Sequence, residues 1–230
     1  MVYEAPSPSY GGASFANSWE GCAVKGIRRN VGRMAMAGAA MLLLAGCFGG
    51  PSRVRPDSVA GDAPQKAMDL YDTDHDGFID GAELDKVPGL KAALKQVDTN
   101  GDGKISREEI AARIQFWKDS GFGRTTISVP VRHNGAPLPG AKVRLVPESF
   151  LGSTLPTGEG TTNDRGVAMV TAPPRNAGDP PGLSPGFYRL EITKEGENIP
   201  AKYNTATTLG LEVGPMDQDI ITARRFDLQY

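Results

Sequence analysis

Two stretches of this chain space oxygen-bearing side chains as a hard cation requires. The first reads Asp72-Thr-Asp74-His-Asp76-Gly77-Phe78-Ile79-Asp80-Gly-Ala-Glu83, and the second Asp98-Thr-Asn100-Gly-Asp102-Gly103-Lys104-Ile105-Ser106-Arg-Glu-Glu109. Each matches a twelve-residue calcium loop, with donors at positions 1, 3, 5, 7, 9 and 12 and glycine at 6. Loop one would ligate through Asp72, Asp74, Asp76, the Phe78 carbonyl, Asp80 and Glu83. Loop two would use Asp98, Asn100, Asp102, the Lys104 carbonyl, Ser106 and Glu109. Calcium takes six to eight oxygens, so several carboxylates must converge on one point, and the closing glutamate supplies both of its oxygens. Gly77 and Gly103 allow the bend that brings the donors round. An Asp/Gly-rich stretch can also be a solvated turn, but two complete matches in tandem are poorly explained by chance. Two Ca2+ sites are therefore expected.

Helices must hold these loops. The sequence predicts an incoming helix over Pro64–Tyr71, a short outgoing one over Ala82–Val87, and a break at Pro88-Gly89. A second incoming helix is predicted over Leu90–Val97, with Leu90, Leu94 and Val97 on one face. The longest helix follows from Ser106 to about Ser120, with a buried stripe of Ile110, Ile114 and Trp117. Ser106 with Glu109, and Asp80 with Glu83, fit an N-cap and N3 pair.

The tandem resembles an EF-hand pair. In that family the hydrophobic residues at position 8, here Ile79 and Ile105, pair the two loops through a short β-bridge. The 14 residues between the loops are fewer than in calmodulin-like proteins and closer to compact bacterial pairs such as dockerin modules. Met68 is the pair's only methionine, which disfavours the Met-rich target surface of a calcium sensor. Calcium is read as a structural or constitutive ligand.

The chain has 230 residues, 39% hydrophobic and 23% charged, within the range of a globular protein of one or two domains. A net charge of -2 without any basic stripe gives no footprint for nucleic acid. Cys22 and Cys47 belong to no Cys/His ligand cluster, so neither a disulfide framework nor a structural zinc is expected.

Lys25, Arg28, Arg29 and Arg33 precede an apolar run, Met34–Ala45, which is too short to span a bilayer and has the form of a secretory signal. Its end, Leu44-Ala45-Gly46-Cys47, resembles the lipobox of bacterial lipoproteins, which implies cleavage before Cys47 and a lipid on that cysteine. Residues 1–23 do not fit in front of such a leader, and translation is expected to begin at Val24. Phe48 after the cysteine implies, by resemblance, the outer membrane. Residues 47–63 read as a flexible lipid-attached tether, with a span of about 20–24 Å for ~16 residues.

From Phe122 the pattern changes to short alternating strands. Ile127/Val129/Val131, Val143/Leu145, Val167–Thr171, Phe187–Ile192 and Ile220–Leu228 supply strand signals, and Pro130 suggests an edge. His133-Asn134-Gly135 and Asn163-Asp164-Arg165-Gly166 read as turns. About seven strands are expected, the signature of an antiparallel β-sandwich. Three segments, Asn134-Gly-Ala-Pro-Leu-Pro-Gly140-Ala-Lys-Val143, Gly160-Thr-Thr-Asn-Asp164-Arg-Gly166 and Pro185-Gly186-Phe-Tyr188-Arg-Leu-Glu-Ile192, resemble the carboxypeptidase regulatory-like domain. That resemblance implies a transthyretin-type sandwich and says little about activity. The fold's hydrolase branch uses histidines and a particular C-terminal tail. Here only His75 and His133 occur, and the chain ends differently. No GxSxG, HExxH or P-loop is present.

The expected architecture is thus α+β and multidomain. A leader (1–46), a tether (47–63), a small all-α EF-hand pair (64–121) and an antiparallel β-sandwich (122–230) follow in order. The function read from it is a non-enzymatic, calcium-binding, lipid-anchored envelope protein, with no catalytic residues, periplasmic or surface-exposed. It would meet the membrane through Cys47 and an unidentified protein or envelope partner through its sandwich. An extracytoplasmic calcium sensor and a carbohydrate-binding accessory module are the alternatives; the latter would want a row of exposed aromatics, which are only 7% of residues. The proline-rich 173–186 stretch and the Thr-rich Tyr203–Gly210 stretch are read as irregular, the latter a possible ligand surface.

Overall fold

The loops of the first half are held by five short helices. Helix α1 (Ala63–Tyr71) carries Pro64 in its first turn, where the missing N–H costs nothing. After the first loop come β1 (Phe78–Ile79) and α2 (Gly81–Leu84). The predicted second incoming helix forms as two pieces, α3 (Pro88–Ala92) and α4 (Leu94–Val97). Pro88 starts α3 rather than only ending α2, because proline is pre-shaped for the first helical turn. Strand β2 (Ile105–Ser106) leads into α5 (Arg107–Ser120), closed by Gly121 in the left-handed conformation at φ 65°. β1 and β2 pair antiparallel, Ile79 against Ile105. Both isoleucines are fully buried, and α5 buries Ile110, Ile114 and Trp117 as its stripe predicts.

The computed structural model describes residues 59–215 and 225–230. The leader, Cys47, most of the tether and Ile220 lie outside the described residues. No helix among the described residues is long and apolar enough to cross a membrane.

The second half is a largely antiparallel β-rich body. One sheet has the order β6 (Gly158–Thr161), β5 (Lys142–Pro147), β8 (Gly186–Thr193), β9 (Gly210–Val213), antiparallel throughout. In the other, β3 (Ile127–His133) pairs with β7 (Val167–Val170), then with β4 (Ala136–Pro137) and β10 (Phe226–Leu228). The β10–β3 pairing is parallel, which departs from the all-antiparallel expectation. Pro130 faces Val167 of β7, and the opposite partner starts only at Val131. Its missing N–H therefore breaks no ladder among the described residues. The β3–β4 turn uses Asn134 at φ 50° and Gly135 at φ 79°, the two left-handed residues a tight hairpin needs. Val129, Val131, Val143, Leu145, Leu190 and Ile192 belong to one buried cluster shared by the two sheets.

Strand β8 alternates across its sheet. Tyr188, Leu190 and Ile192 point into that shared cluster. Phe187 points to the other face, into a second cluster with Ile79, Leu90, Ile105, Ile110 and Trp117 of the helical half. Phe150 and Leu151, on a 3-10 turn (Ser149–Leu151), and Leu155 complete it. The loop-bearing helices thus lie on the outer face of β8 and β9, and the described residues of both halves belong to one compact unit.

Candidate metal centre

Each predicted loop has its ligand-bearing side chains drawn inward by its own backbone. In loop one, Gly77 N–H donates to Asp72 Oδ2 at 3.1 Å, Asp76 N–H to Asp74 Oδ1 at 3.2 Å, and Phe78 N–H to Asp76 Oδ1 at 2.9 Å. Gly77 takes φ 90°, as position 6 requires, and His75 at position 4 takes φ 61°. In loop two, Gly101 and Gly103 donate to the two oxygens of Asp98 at 2.6 and 2.8 Å. Asp102 N–H donates to Asn100 Oδ1 at 2.9 Å and Lys104 N–H to Asp102 Oδ1 at 2.8 Å. Gly101, at φ 77°, is the counterpart of His75.

The closing glutamates are fixed in the same way. Glu83 Oε1 accepts from Thr73 N–H at 2.6 Å and from its hydroxyl at 2.7 Å, while Oε2 accepts from Asp80 N–H at 3.3 Å. Glu109 Oε1 accepts from Thr99 N–H at 3.0 Å, and its Oε2 from Ser106 N–H and Oγ at 2.9 Å each. Ser106 Oγ in turn accepts from Glu109 N–H at 3.3 Å, a capping box that starts α5. The Thr73 hydroxyl bond holds the Glu83 carboxyl below its usual range. For Glu109, burial pulls upward but the N–H and hydroxyl donors of Ser106 and Thr99 outweigh it, so it too is lowered. Both glutamates therefore stay ionised at neutral pH.

The donor set fits a hard cation. Ligand oxygens of Asp72, Asp74 and Asp76 lie within 4.8 Å of one another. Asp72 is buried, and its Oδ1 has no hydrogen-bond donor. A buried carboxylate oxygen left without a donor is costly unless something positive answers it. In loop two the matching positions hold Asp98, Asn100 and Asp102, with one neutral amide among them; Asn100 Nδ2 donates to Asp102 Oδ2 at 2.9 Å. Lys104 has a role its sequence position did not show. Its ammonium reaches across to loop one, 2.7 Å from Asp80 Oδ2 and 3.2 Å from Asp76 Oδ2, and these two bonds raise its pKa.

Two buried polar contacts that sequence reasoning missed tie the loops to the sheet. Glu212 on β9 is fully buried beside Phe187. Its Oε1 accepts from Arg113 Nε and Nη2 at 2.8 Å each and from Trp117 Nε1 at 2.7 Å. The Trp117 ring packs on Phe187 at 4.8 Å between centroids. Glu148 Oε1 accepts from Gly89 N–H of α3 at 2.7 Å, and burial pushes this carboxyl up to about 7. A glycine at 210 lets α3 approach, since a Cβ there would lie 2.1 Å from the Pro88 carbonyl oxygen.

The EF hand family model matches residues 65–88 and 90–112. No curated protein and no solved structure matches the chain. With one match on each loop and a β-bridge between them, residues 65–112 are an EF-hand pair, which supports calcium binding.

Proposed function

We propose that this protein is a non-catalytic, calcium-binding envelope protein. Its two EF-hand loops would each hold a constitutive Ca2+ that fixes the helices against a β-sandwich of the carboxypeptidase regulatory-like kind. The observation that carries this reading is the covered face of the EF-hand helices. Their apolar residues pack on Phe150, Leu151, Leu155 and Phe187 of the β-rich body. A sensor would need that face free to open toward a partner; here it belongs to the protein's own core. The leader and Leu44-Ala45-Gly46-Cys47 support a lipid on Cys47 as the membrane anchor, with the β-rich body available to a protein or envelope partner.

Calorimetric titration of the full chain tests the metal claim. Two calcium ions are expected per chain, with Glu83→Gln and Glu109→Gln each removing one. Calcium should stabilise the folded chain by roughly RT ln(1 + [Ca]/Kd) per site, about 2.7 kcal/mol at a hundredfold excess over Kd, and so raise the unfolding temperature without increasing the binding of an apolar dye. Failure of 1 mM calcium to bind would overturn the reading, and dye binding on calcium addition would turn it into a sensor. Mass spectrometry of the protein from cells should find Cys47 acylated; a free thiol there removes the anchor.

A further inference from the structure

Where the α2–α3 connection meets β8 and the Thr-rich 204–207 loop, the surface forms a cleft of about 230 Å³. At roughly 30 Å³ per water it holds about seven or eight waters, enough for one small organic ion and too little for a polymer. Its charges are unevenly committed. Asp85 pairs with Lys91, and Glu191 pairs with Arg144 Nη1 at 2.8 Å, so both acidic residues of the cleft are answered by cations outside it. Lys86 and Arg189 also line it, and neither forms an ion pair with any described residue.

Arg189 is the more telling of the two. Its Nε is fully buried and has no acceptor, and the rest of the guanidinium makes no hydrogen bond to a described residue. Buried donors in folded proteins are almost always satisfied; this Nε is closed to solvent, so an ion in the cleft would meet Arg189 through the part of the side chain that lines it. Besides Asp85 and Glu191, which pair with Lys91 and Arg144, Arg189 is felt by Glu148, which directs Oε1 to Gly89 N–H and leaves Oε2 without a donor. Burial favours the neutral form of that acid, and the nearby Tyr71 phenol, also raised by burial, is neutral. The charge on Arg189 is therefore left to be met from the cleft. The opposite wall offers no competing charge: Thr205 and Thr207 are neutral, and their hydroxyls bond to Asn204 Oδ1 and the Leu190 carbonyl.

We infer that this cleft is a binding site for a small oxyanion, a carboxylate or phosphate group, clamped by the Arg189 guanidinium with Lys86 as second cation. A guanidinium presents paired N–H donors that match the spacing of such oxygens, while an ammonium adds a movable point charge. Asp85 and Lys86 follow Glu83 of loop one by two and three residues, so the test is run with calcium present.

Arginine Nε–H resonances of the full chain in calcium-containing buffer report on it directly. Sodium acetate would probe the carboxylate, and sodium sulfate, soluble with calcium, would stand for phosphate, each against sodium chloride at matched ionic strength. One of them should shift the Arg189 signal saturably with a millimolar Kd, and the tighter of the two identifies the ligand class. Lys86→Gln changes an exposed side chain and should raise Kd at least threefold; Arg189→Gln should remove the titrating resonance and so assign it. An Arg189 signal that moves only linearly, as it does with chloride, overturns the proposal, as does an unchanged Kd in Lys86→Gln.

Discussion

Glu212→Gln is the sharpest test of how the EF-hand pair and the sheet are joined. Glu109, Arg113 and Trp117 lie four residues apart, on one face of α5, so the helix runs from the closing ligand of loop two to the buried carboxylate of β9. That carboxylate is fully buried and the Arg113 side chain is only 13% exposed, so water screens the pair little. Removing one member of a buried ion pair costs about 3–5 kcal/mol, because the other charge is left desolvated. Glutamine keeps an oxygen for Trp117 Nε1 and loses only the charge, which places the expected cost near the lower end, about 3 kcal/mol. At roughly 2–4 °C per kcal/mol for a unit of this size, the unfolding midpoint should fall by about 6–12 °C. Circular dichroism and the fluorescence of Trp117 should follow the same transition in the parent protein. The double variant Arg113→Met/Glu212→Leu should recover most of the loss, since an apolar pair of similar volume replaces a buried ion pair at little or no cost. A midpoint within 1 °C of the parent for Glu212→Gln would refute the argument, and so would a double variant no better than the single one.

Three further outcomes follow from other contacts. Burial raises the Glu148 carboxyl from 4.5 to about 7, so between those values the folded chain keeps a proton that the unfolded chain releases. The stability this contributes is complete below pH 4.5 and is lost as pH rises to 7, by about 3 kcal/mol; urea unfolding at pH 5 and pH 8 should show the fall, and Glu148→Gln should flatten it. Gly210→Ala puts a Cβ 2.1 Å from the Pro88 carbonyl oxygen, and the backbone of α3 must move, at a cost of roughly 1–3 kcal/mol or more. Gly123→Ala, with nothing within 4 Å of the new Cβ, is the control that should leave urea unfolding unchanged. Lys104→Gln frees Asp76 and Asp80 from their cation, so calorimetry should show tighter calcium binding at loop one and little change at loop two; equal shifts at both sites would contradict the cross-loop contact.

The EF-hand loops were legible in the sequence because nearly everything that shapes them is local. Asp72 is held by Gly77, Asp98 by Gly101 and Gly103, and each closing glutamate by a threonine ten residues back. Strands β3, β5, β7 and β8 were legible for the same kind of reason, since alternation is a property of adjacent residues. The misses share the opposite property. Strand β9 reads Gly-Leu-Glu-Val, a short alternation whose glutamate would ordinarily face water. Glu212 is buried because α5, some 99 residues earlier in the chain, covers it. Glu148 is likewise buried by the approach of Gly89, at a separation of 59 residues. The Lys104 side chain left its own loop for the other because β1 and β2 set Ile79 against Ile105, which brings Asp80 and Lys104 alongside.

These long-range contacts also support the proposed structural role for calcium. An EF-hand pair can use the free energy of metal binding to open an apolar face, provided that face has no better partner when closed. Here Phe187 and Phe150 already fill it, Trp117 is anchored by both a ring contact and a hydrogen bond to β9, and Gly210 and Gly89 let α3 meet the backbones of β9 and β8. Opening would strip a buried carboxylate of its arginine and expose the apolar cluster, a cost larger than the one or two sites would supply at modest calcium excess. On the proposed reading, calcium binding would shift the balance between folded and unfolded chain and leave the folded shape as it is.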